Sequence, residues 1–110
     1  MPLKKPDVSV IIVTYNSAQV IIACIDSIVN NSQGIEVEIL IIDNGSTDDT
    51  CAIIAQNHTN ITVITGHGNI GFAAGNNIGL QAAQGRHFFI LNPDTEISAG
   101  ALNTLTDYAD

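Results

Sequence analysis

The chain is long enough for one domain with a single hydrophobic core, and its composition excludes several classes of protein. Of its 110 residues, 45% are hydrophobic and 13% are charged, so it is not expected to be disordered. Eleven acidic residues against three basic ones give a net charge of -8, which argues against binding nucleic acid through bulk charge. The longest apolar runs have the length of strands, and no signal-peptide stretch follows the first lysines. We therefore expect a cytoplasmic protein, at most peripheral to the inner face of the membrane.

The cysteines and histidines show no metal or redox motif. Cys24 and Cys51 lack C-x-x-C spacing and fall in helix-like segments, so we expect buried free thiols. His58, His67 and His87 lack the spacing of metal ligands, and no role is assigned to them.

The first strand and helix are predicted from residues 8–30. Residues 8–14 are nearly all β-branched, which is typical of a strand buried in a parallel sheet. Isoleucines at positions i, i+4 and i+7 then indicate a helix with a wide apolar face. Asn16 or Ser17 is expected to cap its N-terminus.

A second strand is predicted over residues 37–42. Ser46 or Thr47 is expected to cap the helix that follows it. Asp48 and Asp49 would then lie in the first helical turn, where carboxylates complement the helix dipole, so a structural role is predicted for both.

The second half of the chain predicts two more strands and two more helices. A strand over 61–65 leads through a glycine-rich loop into a helix over 72–83, closed by Gly85. Two glycines inside that helix indicate close approach to another backbone. The strand over 88–91 consists of four apolar residues, which predicts burial on both faces, and Ser98 is expected to cap the last helix.

The alternating pattern predicts an α/β fold, a Rossmann-like βαβαβαβα three-layer sandwich with a mainly parallel sheet. Polar or glycine-rich clusters follow every predicted strand. Because the carboxyl ends of parallel strands share one edge, we expect these clusters to converge on one crevice. The clusters are residues 14–16, 43–44, 66–71 and 92–94.

Gly66-x-Gly68-x-x-Gly71 leaves one alternative open, a site for an NAD(P)-type dinucleotide. It follows a predicted strand and opens a predicted helix, and an acid, Asp94, follows the next strand. The loop belongs to the third strand–helix unit, however, whereas this motif is expected in the first. Asp94 also lies beyond a proline turn, past the strand tip where an acid would meet a ribose.

Four segments match, in order, the motifs of one enzyme family. They cover residues 10–16, 41–48, 69–79 and 91–95. Together they resemble the family 2 glycosyltransferases, which have the GT-A fold. The Asn-Pro-Asp segment is similar to the branch that includes rhamnosyltransferases of bacterial cell-surface polysaccharide synthesis.

The resemblance implies a reaction and a set of site residues. The donor would be a nucleotide-diphosphate sugar (a dTDP- or UDP-sugar, including dTDP-rhamnose). A hydroxyl of a saccharide or lipid-linked saccharide would displace the diphosphate with inversion. Asp94 would bind Mg²⁺ or Mn²⁺, with Asn92 in place of the first acid of the family's DxD signature. Asp43 would accept the N3–H of a uracil or thymine. The implied nucleotide-sugar site comprises Thr14, Tyr15, Asn16, Asp43, Asn44, Gly71, Asn77, Asn92 and Asp94.

In this family the catalytic base and the acceptor site lie well downstream of the DxD-like motif, so the resemblance places the base beyond Asp110. It divides the chain into an N-terminal tail, 1–7, and the nucleotide-sugar-binding half of a GT-A domain, 8–110. A truncated sheet predicts a poorly covered last strand, and with it self-association or marginal stability. A non-catalytic α/β interaction module is the third alternative.

Overall fold

The computed structural model describes residues 5–109, and the side chains of residues 5–107. Residues 1–4 of the predicted tail, Asp110 and the side chain of Tyr108 lie outside the described residues. Strands and helices alternate in the order β1 (Val8–Thr14), α1 (Ile21–Asn30), β2 (Val37–Asp43), α2 (Thr50–Asn57), β3 (Thr62–Ile64), α3 (Phe72–Ala82), β4 (His87–Leu91) and α4 (Ala101–Ala109).

The four strands form one sheet in the order β3-β2-β1-β4, and every pair is parallel. The register places Thr14 opposite Asp43, so β1 and β2 end at the same level. The chain moves outward from β1 to β3 and then returns to the other side of β1 for β4. The strand order therefore reverses between β1 and β4, and the crevice at the carboxyl ends of these two strands is where open α/β sheets bind ligands.

The helices cover both faces of the sheet, which confirms the predicted three-layer α/β sandwich. On one face α1, α2 and α4 enclose the larger core, and on the other α3 packs over β1 and β2. The larger core includes Val8, Val10, Ile12, Ile21, Cys24, Ile25, Ile28, Ile39, Ile41, Ile54 and Leu102, and the smaller one Ile11, Val13, Leu40 and Ile42.

The glycines of α3 allow the close approach that the sequence predicts. A Cβ at Gly79 would lie 2.5 Å from Cγ2 of Ile11, and one at Gly75 would lie 3.1 Å from both methyl groups of Val13. Gly85 does not close α3, because the helix ends at Ala82. It is instead required where the chain passes β1, since a Cβ there would lie 2.6 Å from the backbone nitrogen of Ser9.

Three helices begin later than predicted. The helix α1 begins at Ile21, and the polar residues before it form a turn in which the backbone N–H groups of Val20 and Ile21 donate to the carbonyl of Ser17. The helix α2 begins at Thr50, so the acids at 48 and 49 precede the first turn. The helix α4 begins at Ala101, three residues beyond Ser98. The polar residues expected to cap α1 and α2 bond instead to neighbouring loops or turns, as the side chains of Asn16 and Ser46 do.

The prediction that β4 is buried on both faces is wrong. Phe88 and Ile90 are 46% and 47% exposed, whereas Phe89 and Leu91 pack against the larger core. The reason is that β4 is an edge strand and α3 lies over β1 and β2.

Both cysteines are free, as predicted; Cys24 is buried, but Cys51 is partly exposed. No helix in the part of the chain that the structure describes is long and apolar enough to cross a bilayer.

Candidate functional site

A buried carboxylate joins the carboxyl ends of β1 and β2. Asp43 is 3% exposed. Its Oδ1 accepts hydrogen bonds from the hydroxyls of Thr14 at 2.7 Å and Ser46 at 2.6 Å. Its Oδ2 accepts from the backbone N–H groups of Ser46 at 2.9 Å and Gly45 at 3.2 Å. Four donors therefore occupy the roughly four lone-pair positions of this carboxylate.

These donors keep Asp43 ionised. Burial raises the pKa of Asp43, but the hydrogen bonds from Ser46, Thr14 and Gly45 together outweigh burial and hold the pKa below its ordinary value. Cys51 lies close by: burial, and then the negative charge of Asp43, raise the pKa of its thiol. The corner thus holds a fixed negative charge beside a protonated thiol.

Asn16 ties the loop after β1 to the loop after β2. It adopts the left-handed conformation, with φ of 51°, which asparagine tolerates better than most residues. Its side-chain Oδ1 accepts from the backbone N–H groups of Thr47 at 2.7 Å and Asp48 at 3.2 Å. Its own N–H donates to the Ser46 hydroxyl at 2.8 Å. The side chain of Asp48 also joins the two loops, because it accepts a hydrogen bond from the N–H of Ala18 at 3.2 Å, in line with its predicted structural role.

Asn44 connects the glycine-rich loop to the same corner. Its backbone N–H donates to the Thr14 carbonyl at 2.9 Å. Its side-chain Nδ2 donates to the carbonyl of Gly71 at 3.0 Å, and its Oδ1 lies 2.9 Å from Nε2 of His67. Thr14, Asp43, Asn44 and Gly71, all predicted site residues, thus belong to one hydrogen-bonded unit.

An open cavity of about 290 Å³ lies at the carboxyl edge of the sheet. It lies where the strand order reverses, because residues that end or follow both β1 and β4 contribute to its wall. Tyr15 and Phe72 are about half exposed there, at 50% and 49%. The lining residues are Val13, Tyr15, Ser17, Asn44, Asn69, Phe72 and Pro93.

The turn after β4 forms the other side of the crevice. The N–H of Thr95 donates to the Asn92 carbonyl at 3.0 Å and closes the turn, and the side chains of Asn92 and Asp94 are exposed. No group of three or more His, Cys, Asp or Glu side chains able to hold a metal ion occurs among the described residues. Mg²⁺ in proteins is commonly held by one or two carboxylates together with substrate phosphates. Asp94 therefore fits a cation that is bound jointly with a diphosphate.

The remaining predicted site residue, Asn77, is exposed in the second turn of α3. Its neighbour Asn76 is 9% exposed, and its buried Oδ1 has no hydrogen-bond partner.

Sequence reasoning missed several residues that the structure places at the site. Ser46 and His67 bond directly to Asp43 and Asn44, and Asn69 and Phe72 line the cavity. The hydroxyl three positions after Asp43 was a usable signal, because Asx turns bond to residues two or three ahead.

The parallel sheet with alternating helices is an α/β domain of the GT-A glycosyltransferase type. The chain matches the family model for glycosyl transferase family 2 over residues 9–110, and it belongs to that family.

Two curated relatives come from bacterial polysaccharide synthesis. The chain is 32% identical over 108 residues to the succinoglycan biosynthesis protein ExoO of Rhizobium meliloti (strain 1021), covering 97% of this chain and 31% of ExoO. It is 31% identical over 108 residues to the minor teichoic acid biosynthesis protein GgaB of Bacillus subtilis (strain 168), covering 94% of this chain and 12% of GgaB. The chain thus spans a third or less of the length of these relatives.

Two solved structures have the same fold. Residues 1–349 of S. aureus TarS in complex with UDP-GlcNAc match with a TM-score of 0.83 and 27% identity, over 94% of this chain and 31% of that one. The mannosyltransferase PcManGT from Pyrobaculum calidifontis in complex with GDP-Man and Mn²⁺ matches with a TM-score of 0.84 and 28% identity, over 97% and 33%.

Proposed function

We propose that this chain binds the donor of an inverting glycosyltransferase that acts in cell-surface polysaccharide synthesis. The donor is a dTDP- or UDP-sugar, with dTDP-rhamnose as one candidate, and the acceptor is a saccharide or a lipid-linked saccharide. Membership of glycosyl transferase family 2 and the similarity to ExoO and GgaB, proteins of succinoglycan and minor teichoic acid biosynthesis, support this proposal. The TarS complex with UDP-GlcNAc supports a nucleotide-sugar donor.

The observation that carries the proposal is the cavity between the ends of β1 and β4. Its apolar and aromatic walls, Tyr15 and Phe72, suit the flat face of a base and ribose. Asn44 supplies an amide at the same cavity, and Asp43 lies directly before it in the chain. Asp94 follows Pro93 on the other wall, where a diphosphate reaching out from the nucleoside would arrive.

Asp43 is proposed to accept the N3–H of the pyrimidine. Its ionised state suits this role, since an imide N–H is a donor and a carboxylate accepts without competition from a proton. Its oxygens already accept four hydrogen bonds, so base recognition requires the hydroxyl of Thr14 or Ser46 to turn its proton elsewhere. This exchange of one donor for another costs little if the displaced hydroxyl finds a new acceptor on the ligand.

The diphosphate needs positive charge, and among the described residues no lysine or arginine lies at this edge. Lys5 and Arg86, the basic residues in the part of the chain that the structure describes, precede β1 and β4 and so lie at the opposite edge of the sheet. We therefore propose that Asp94 holds a divalent cation together with the diphosphate. Such a cation, when bound, stabilises charge on the leaving group. Asn92 has no charge to contribute, but its amide can hydrogen-bond a ribose hydroxyl or a metal-bound water.

The catalytic base is proposed to lie beyond Asp110, and a cytoplasmic location, including the inner face of the membrane, is proposed for the whole protein. The dinucleotide alternative gains no support, because Gly66-x-Gly68-x-x-Gly71 follows β3, the third strand of the chain, whereas this motif is expected after the first strand.

Calorimetric titration with UDP and dTDP, with Mn²⁺ and with EDTA, tests the proposal against titration with NADH. We expect binding of a pyrimidine nucleoside diphosphate that Mn²⁺ strengthens, and no binding of NADH. Binding of NADH alone would support a dinucleotide domain. Absence of binding by all three would support a non-catalytic interaction module.

A further inference from the structure

The segment after β4 is fastened to one side of α1. Three polar side chains at the spacing i, i+3 and i+7, which share a helix face, contact its backbone. They are Cys24, Ser27 and Asn31, the last being the residue that follows α1, and together they form what we call the α1 seam. None of the three belongs to the site described above.

The seam contacts the backbone of Ile97 at both its N–H and its carbonyl group. The hydroxyl of Ser27 donates to the Cys24 carbonyl at 2.7 Å and accepts the N–H of Ile97 at 3.0 Å, so both its donor and acceptor functions are used. The Nδ2 of Asn31 donates to the Ser27 carbonyl at 2.8 Å and lies 3.4 Å from the Ile97 carbonyl. The Ile97 side chain packs against the larger core, so this point of the segment is fixed.

The seam also reaches the turn itself. The thiol of Cys24 lies 3.8 Å from the carbonyl oxygen of Asn92, the residue that opens the turn. Burial, and then the negative charges of Asp94 and Glu96, raise the pKa of this thiol to about 11, so it keeps the proton that it donates. The turn that carries Asp94 is thus anchored before it, at Asn92, and after it, at Ile97.

We propose that the α1 seam, and Ser27 above all, is a positioning device that fixes the exposed Asp94 carboxylate for the diphosphate and its cation. The inference rests on the proposed function, because the seam can position Asp94 for a ligand only if Asp94 binds the diphosphate and its cation. An exposed carboxylate on a short turn binds a cation more tightly when its backbone is already ordered. Binding then does not have to supply the free energy for ordering the turn. The residues that support a metal ligand typically contribute about 10- to 100-fold in metal affinity.

Nucleotide titration of matched variants of the 110-residue chain tests the seam. Ser27→Ala is expected to weaken UDP or dTDP binding about tenfold in Mn²⁺ and to leave binding in EDTA unchanged. Ser27→Thr is expected to keep the parent's affinity in Mn²⁺, because a helical threonine hydroxyl can also bond the carbonyl at i-3. Ser32→Ala is the control, since the Ser32 hydroxyl bonds to the Val29 carbonyl at 3.2 Å, outside the seam. Equal Mn²⁺ dependence in Ser27→Ala and the parent would overturn the inference.

Amide hydrogen exchange without nucleotide supplies a second readout. In the parent the N–H groups of Ile97 and Thr95 should be protected, and Ser27→Ala should remove the protection of Ile97 and lower that of Thr95, with β1 unaffected. Unchanged protection at Ile97 would overturn the positioning role whatever the nucleotide data show. If the seam passes this measurement but Asp94→Ala retains the full Mn²⁺ effect, the proposed role of Asp94 is wrong and the inference falls with it.

Discussion

The two sides of the crevice use carboxylates in opposite ways. On the side of β1 and β2, Asp43 is buried and its oxygens accept four hydrogen bonds from three residues. On the side of β4, Asp94 is exposed on a turn whose backbone is anchored on both sides of it. A buried, fully bonded carboxylate organises the loops around it, whereas an exposed one on an ordered backbone is available to a ligand. The same residue type therefore predicts a large stability effect on one side and a large binding effect on the other.

The largest stability effect is expected from Asp43→Ala. Removing the carboxylate leaves four donors without their acceptor, among them the buried hydroxyl of Thr14, which should lower the free energy of unfolding by about 2–4 kcal/mol. Urea denaturation at pH 7 measures it. Ser46→Ala removes one donor and keeps the carboxylate, so its loss should be smaller, about 1 kcal/mol. If Asp43→Ala were as stable as Ser46→Ala, the organising role of Asp43 would be refuted.

Asp94→Ala should leave the stability nearly unchanged and weaken nucleotide binding. Its free energy of unfolding should stay within about 0.5 kcal/mol of the parent, because the side chain is exposed. Its affinity for UDP or dTDP in Mn²⁺ should fall by about tenfold or more, with no change in EDTA. Glu96→Ala, which removes a second exposed charge from the same segment, is the control in the same titration. A similar loss in both variants would indicate general electrostatics and would count against a specific ligand at Asp94.

Lowering the pH should reduce the stability that Asp43 contributes at the ends of β1 and β2. Its pKa is lower in the folded chain than in the unfolded one, where about 3.9 is usual. The stability it contributes is therefore fully present above that unfolded value and is lost as the pH falls through the folded pKa. Urea midpoints between pH 7 and pH 2.5 should decline more steeply in the parent than in Asp43→Asn. The hydrogen bond from Thr50 also lowers the pKa of Asp48, so part of the decline should persist in the variant.

The smallest effect concerns the open face of β4. Phe88 and Ile90 are about half exposed on an edge strand, and we predict weak self-association through this face against a net charge of -8. Sedimentation velocity should show a mass that rises with concentration, and Phe88→Ser with Ile90→Thr should reduce that rise. Val63→Thr, an exposed apolar residue on β3, serves as the control. A parent that is monomeric at every concentration would contradict the prediction.

The alternation of strands and helices, and with it the parallel sheet, was accessible from the sequence because hydrophobic runs and their spacing are local signals; the strand order was not predicted. The β-branched run of β1 and the polar residues after each strand predicted the parallel sheet and the common edge where Thr14 meets Asp43. The internal glycines of α3 correctly indicated close packing, which Gly79 shows against Ile11.

The missed features depend on partners distant in the chain. Asn16 or Ser17 was expected to cap α1, but the side chain of Asn16 bonds to the loop some thirty residues later, and no local preference encodes that choice. The half-exposure of Phe88 follows from the place of β4 at the sheet edge, which an apolar run does not reveal. His67 had no spacing to identify it, because its contact is with a single amide on another loop.

That amide settles the tautomer of His67. Since Nδ2 of Asn44 donates to the Gly71 carbonyl, its Oδ1 must act as the acceptor towards the ring. Nε2 of His67 therefore carries the hydrogen that is donated to this amide. One amide at the end of β2 thus holds the glycine-rich loop at two points, donating to Gly71 and accepting from His67, which a carboxylate at position 44 could not do because it has no donor.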